Sequence, residues 1–298
     1  MNKKVLRTGI GLVVGFSLFF TSTLISMAGG PSGYETLKAS LKNSKRVESS
    51  TFTIKGSLHD NNEELVKVNS TVKADKEDKM SSGVVTINSE KVNTSYTFYG
   101  KDNVMVFKDD SSDVYNQVEC NRRMRRGRFH GNGEFKHGNL QMEKVGETIM
   151  DTLVGDLKNQ VTQKNLENGK KQLSIVLDKD EVPTVFNMIL SAKGQQDCDR
   201  QGRVHEILGI SKDDFRVPKL VNDAKVEKID VQIIVDNNNI IKEMDAEFYI
   251  SGNDENNLTH NQVLKLSIDV SGVNSTEADT INLEGKTVRE LPNEDFGC

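Results

Sequence analysis

Apolar residues first become periodic at Tyr34, Leu37 and Leu41. They are spaced by three and four among Lys38, Lys42 and Lys45, which lays one apolar stripe along a short helix. Beyond Ser49 the period shortens to two. Phe52, Ile54 and Leu58, then Val66, Val68 and Val72, then Val85 and Ile87, Tyr96 and Phe98, and Val104 and Val106 are separated by polar residues or by odd numbers of positions. Segments of this kind bury one face and expose the other, and Asp60-Asn61-Asn62 and Asp75–Asp78 interrupt them with turn-forming side chains. Residues 50–119 therefore read as an antiparallel meander.

From Met142 to Val161 the helical period returns. Val145, Ile149, Leu153, Val154, Leu157 and Val161 share one face, with Lys144, Glu147, Asp151 and Lys158 elsewhere. A strand follows at Leu173, Ile175 and Leu177. Asp180 then caps a third predicted helix carrying Val182, Val185, Phe186, Ile189 and Leu190, with Pro183 tolerated in its first turn and Gly194 as its end. Residues 195–224 are polar and irregular, with a short helix expected near Lys219–Ala224. Three strands close the chain: Ile229, Val231, Ile233 and Val235; Met244, Ala246, Phe248 and Ile250; and Leu264, Leu266, Ile268 and Val270. Asp236-Asn237-Asn238-Asn239 joins the first two, and Gly252–Asn257 joins the next pair more loosely.

About ten strands of roughly eight residues make a sheet face on the order of 1,200 Å². Three helices of about 12 to 16 residues cover only about 600 Å² of it. A sheet that is apolar on one side must then curl, or leave apolar surface for a ligand. The expected architecture is α+β: a curved antiparallel sheet, or half-barrel, with about three helices on its concave face.

Charge and composition narrow the setting. Lys3, Lys4 and Arg7 precede an apolar run from Ile10 through Phe20, and Ser26-Met27-Ala28 before Gly29 fits a small-x-small cleavage rule, so residues 1–28 read as a signal peptide. Thr8–Ala28 carries no charge and is also just long enough to span a bilayer, which keeps an uncleaved anchor open. The expected location is extracellular or the cell envelope, with residues 29–298 as one domain. The net charge of −5 grows more negative once the three leading cations are lost, which disfavours general nucleic-acid binding. With no Trp and 6% aromatic residues, a stacking platform for sugars or bases is poorly supplied.

The order of elements resembles a known envelope architecture. Tyr34–Lys45 running into Ser50–Leu58, the passage Leu173–Leu190, and Lys228–Ile250 together look like the LolA/LppX-type fold, which includes lipoprotein carriers and lipid-binding lipoproteins. The resemblance implies a concave apolar face that accepts acyl chains. By alternation, Ile229, Val231, Ile233, Phe248 and Leu266 are the ligand-facing candidates. No cysteine stands near the cleavage site, so the lipid-modified N-terminus of some such proteins is not expected.

One local feature stands out chemically. Arg122, Arg123, Arg125, Arg126 and Arg128 crowd into seven residues of an otherwise acidic chain, within a loop expected over 120–140. Guanidinium groups bind phosphate and carboxylate in bidentate fashion, so an anionic membrane or wall polymer is the partner such a cluster suits. The plainer alternative is a solvated loop. Cys120, His130 and His137 match no standard zinc spacing and have no evident fourth ligand, so no metal is assigned. Three cysteines in an oxidising compartment predict one disulfide, Cys120 to Cys198, with Cys298 left over.

Gly131-Asn132-Gly133 lacks the Lys-Ser/Thr of a phosphate loop, and Asp236–Asn239 is too short for a calcium loop. Asp178, Asp180 and Glu181 are explained by helix capping, and no Gly-x-Ser-x-Gly elbow exists. No cofactor and no catalysis are expected. The leading reading is a carrier or sequestering protein for a lipid or other apolar ligand. The alternative is a membrane-associated surface assembly module whose concave face is filled.

Overall fold

A computed structural model describes residues 33–119, 159–184, 186–187, 190 and 215–291. The chain enters through helix α1 (Gly33–Lys45), whose stripe of Tyr34, Leu37 and Leu41 is buried as the spacing requires. Six strands then run in succession: β1 (Ser49–Asp60), β2 (Glu63–Asp75), β3 (Met80–Ser89), β4 (Asn93–Lys101), β5 (Val104–Asp109) and β6 (Val114–Glu119). After residues that lie outside those described come β7 (Val161–Asn165) and β8 (Lys171–Asp178). The last stretch gives β9 (Asn222–Val235), β10 (Ile241–Asn253), β11 (Thr259–Ser271) and β12 (Thr287–Leu291).

All twelve strands belong to one sheet, ordered β12-β6-β5-β4-β3-β2-β1-β11-β10-β9-β8-β7. Two meanders, β1–β6 and β7–β11, meet where β11 lies antiparallel beside β1, with Ile54 opposite Ile268 and Leu58 opposite Leu264. The sheet is curved and open, because the edge strands β7 and β12 do not pair with each other.

The expectation of an α+β fold with about three helices is corrected. Among the described residues α1 is the single complete α-helix, set against twelve strands. Residues 142–158 of the second expected helix lie outside the described residues, but its last apolar position, Val161, opens a strand and pairs with Ile175. A residue that points inward in a strand also satisfied a four-residue step from Leu157, and β-branched Val161 and Thr162 favour the pleated surface. Of the third expected helix, Thr184, Phe186, Asn187 and Leu190 are helical. The short helix expected near Lys219–Ala224 is absent, because residues 216–221 are irregular and β9 begins at Asn222.

The turns follow from their side chains. Asn61 and Asn62 both take positive φ, 47° and 72°, so a two-residue turn of the type whose twist matches paired strands joins β1 to β2. The β9–β10 and β10–β11 turns share one construction. Asp236 Oδ1 accepts from the backbone N–H of Asn238 and Ile240, and Asp254 Oδ1 accepts from those of Asn256 and Leu258. Asn239 and Asn257 supply the left-handed residue in each.

After β11, residues 272–286 form a strap over the polar face of the sheet. Thr276 meets Thr51 and Ser49, and the Asp279 carboxylate meets Lys73 at 2.8 Å and the Ser82 hydroxyl at 3.2 Å. Ser82 is buried by this crossing, and it also accepts the Asp279 backbone N–H. The strap delivers β12 to the far side of β6, where it pairs in parallel and buries Leu291 with Phe107 and Val118.

Candidate functional site

Strict pairing lines up apolar residues in rows across the face that bears α1. One row runs Leu177, Ile229, Phe248, Leu264, Leu58, Val66. The next runs Ile175, Val231, Ala246, Leu266, Gly56, Val68, Ile87, and a third runs Leu173, Ile233, Met244, Ile268, Ile54, Ser70, Val85, Tyr96. Period two thus places all five ligand-facing candidates on one face of three adjacent strands. Ile229, Ile233, Phe248 and Leu266 are buried in the core and Val231 is half-buried. Glu227 is an extra residue in β9 between the pairs Val226–Ile250 and Lys228–Tyr249, which lets Val226 and Ile229 both point inward.

Among the described residues three pieces of chain close over this face, one of them the stretch with Val182, Phe186 and Leu190 in the core and Asn187 Oδ1 accepting the Val226 N–H. Helix α1 packs on β7 and β10. It is pinned by Thr36 to Gln163, by Asn43 Nδ2 to the Asn238 carbonyl at 2.7 Å, and by Ser44 Oγ, which accepts the Ile241 N–H. At the opposite end, residues 215–221 cross the rim. Phe215 and Val217 are buried in the core, Arg216 pairs with Glu90 at 2.9 Å, and Gln262 Nε2 donates to the Pro218 carbonyl. Toward the strand ends on β1–β3 and β11, by contrast, Phe52, Ile54, Val72, Val85 and Val270 are only half-buried.

The inward row ends in a polar cluster that sequence reading missed. Asp60, the last residue of β1, and His260, the second of β11, are 200 residues apart and meet at 2.7 Å between Oδ2 and Nδ1. On its other side the imidazole faces Asp254, with Nε2 3.7 Å from Oδ2. The Asp254 carboxyl is held below its ordinary range, chiefly by the Leu258 N–H and then by the Asn256 amide groups, with His260 adding to this. Among the described residues, Asp60 Oδ1 and His260 Nε2 are buried without a hydrogen-bond partner. The signal lay in parity, since His260 and Gln262 continue the inward alternation of Leu264 and Leu266, but the Asp60 partner appears only once β1 and β11 are paired.

The opposite face carries a network of ordinary sheet polar groups. Tyr249 donates to Glu247, Lys265 lies 3.2 Å from Glu247, and Gln232 links Ser174 and Asp230. Among the described residues no group of three or more His, Cys, Asp or Glu side chains is placed to hold a metal ion. No helix among them is long and apolar enough to cross a membrane. The segment 1–28, the five arginines Arg122–Arg128, His130, His137, Cys120, Cys198 and Cys298 lie outside the described residues.

No protein-family model matches the chain, and no curated protein does. Among solved structures, a LolA superfamily protein from Nitrosomonas europaea is similar over 86% of this chain and 97% of that one, with 7% identity and a TM-score of 0.23. A β-barrel-like protein of a domain of unknown function from Brucella abortus is similar over 76% of this chain and 99% of that one, with 10% identity and a TM-score of 0.20. Superpositions at such scores do not define a shared fold.

Proposed function

We propose that this chain is a non-catalytic binding protein of the cell envelope, exported by its first 28 residues, whose helix-bearing sheet face takes a lipid or other apolar ligand. One observation carries the reading: among the described residues, the apolar face is wider than its cover. The twelve strands span about 1,800 Å² a side, whereas a helix of the length of α1 shades about 200 Å². Residues 215–221 close one rim, yet Phe52, Val72 and Val270 in one row and Ile54 and Val85 in the next remain half-buried beside the core. A concave apolar surface edged by a few polar groups is the usual form of a small-molecule site.

A second reading, an assembly module whose concave face is filled, draws on the burial of Ile229, Ile233, Phe248 and Leu266 by the chain itself. Native mass spectrometry after gentle purification separates the two. A carrier retains an adduct of lipid mass that organic solvent removes, and the emptied protein then takes up Nile red. A protein that carries no adduct and leaves Nile red fluorescence unchanged is the filled module.

A further inference from the structure

Among the described residues Phe215 is the bulkiest side chain that the fold excludes from solvent, and Val217 is buried with it in the core that holds Leu58, Phe248 and Leu264. Yet no strand carries them. Residues 216–221 are irregular, and among the described residues three polar links tie this segment to the sheet. The Val221 N–H donates to the Asn253 carbonyl at 2.8 Å, Gln262 Nε2 donates to the Pro218 carbonyl at 2.8 Å, and Arg216 meets Glu90 of the β3–β4 turn at 2.9 Å. The Val217 N–H turns back on the Phe215 carbonyl, and Pro218 has no N–H to give.

The two ends of the segment are held unequally. Val221 runs directly into β9, whereas the Arg216 and Glu90 side chains are 64% and 67% exposed, and an ion pair so wet is worth little. Burial of Phe215 and Val217 is therefore what seats the segment. Such burial is non-directional, so another hydrocarbon can take it over surface for surface, which is not true of a ladder of strand hydrogen bonds. The seat also lies at the end of the apolar face, because Gln262 pairs with Ile250 and Asp60 one row beyond Phe248, Leu264 and Leu58. We propose that residues 215–221 are a displaceable plug, hinged at Val221 and latched by Arg216 on Glu90, whose Phe215 and Val217 side chains compete with the ligand for the same apolar surface. The inference rests on the reading of this face as a ligand site. Under such competition the apparent affinity is the intrinsic one scaled by the fraction of molecules whose plug is out.

The test is amide hydrogen exchange of the full-length protein, read by mass spectrometry with and without saturating Nile red. Residues 216–221 are expected to exchange about tenfold faster with the dye bound, while β9–β11 exchange more slowly. Phe215→Ala is expected to tighten dye binding by about tenfold, the scale of burying one large apolar side chain. Glu90→Lys should tighten it by about two- to fivefold, and adding Arg216→Glu to that variant should restore the wild-type value. Melting curves show whether each variant is folded, and the exposed Glu90 and Arg216 keep the latch testable even where Phe215→Ala does not fold. Exchange of residues 216–221 that slows or stays the same with dye, or an affinity unmoved in every folded variant, overturns the plug and leaves the apolar site standing. Absence of dye binding by the wild type and by Glu90→Lys alike removes the apolar site and the plug with it.

Discussion

Leu173 and Val235 are fully excluded from solvent, and Ile233 and Leu177 nearly so, all four on the paired strands β8 and β9. Leu173→Ala leaves a void that neighbouring strands cannot close, and should lower unfolding free energy by about 2–5 kcal/mol, read from the urea midpoint. Charged side chains on the outer face act more weakly. The Glu247 carboxyl is held below its ordinary range, mainly by the Tyr249 hydroxyl and then by Lys265, and that of Asp279 mainly by Lys73. Such groups bind fewer protons folded than unfolded. Their stabilisation is therefore complete above about pH 4.3, the unfolded glutamate value, and drains away as pH falls through the lower folded value. The urea midpoint should fall between about pH 5 and pH 3, and Glu247→Gln should flatten part of that fall. With the Glu247 side chain 36% exposed, solvent screening holds its share below about 1 kcal/mol. A profile indifferent to the substitution would show that the Tyr249 bond carries no acid sensitivity.

Elements with clean alternation were legible from sequence alone. Those with short or mixed patterns were not. The core halves of β9, β10 and β11 announce themselves because each turns four apolar residues inward at period two and meets solvent on the other side. β12, Thr-Val-Arg-Glu-Leu, sends a single buried residue inward, so it carries no alternation to read. β7 was hidden because Val161 fits a helical step as well as a strand, and only its pairing with Ile175 tells them apart. The seat of α1 on β7 depends on a glycine, since a Cβ at Gly33 would lie 2.6 Å from the Val161 carbonyl oxygen. Gly33→Ala should push the first turn of the helix off the strand and cost about 1–3 kcal/mol, whereas Lys42→Ala on the exposed side should cost under about 0.5 kcal/mol. Paired thermal melts measure both, and equal losses would mean that the close approach is not what seats the helix.

At the scale of the whole molecule, the sheet was legible as two meanders but its closure was not, because no local pattern reports that β11 lies beside β1 or that the strap reaches β6. The Asp60–His260 pair shares that blindness: each residue is ordinary in its own segment, and the cluster exists only through the closure. Ending the chain after Ser271 should remove the lid from Ser82 and the partner of β6. Amide protection is then expected to drop across β3–β6 while β8–β11 keep theirs, as hydrogen exchange would show. A uniform drop would instead make the strap a clamp on the entire sheet. The late arrival of β11 also matters during synthesis. Until residue 259 emerges, β1 offers twelve residues of unsatisfied backbone on one side, a raw template for any other extended chain nearby. A truncated or stalled product therefore inherits a sticky margin that the finished protein has sealed in its middle.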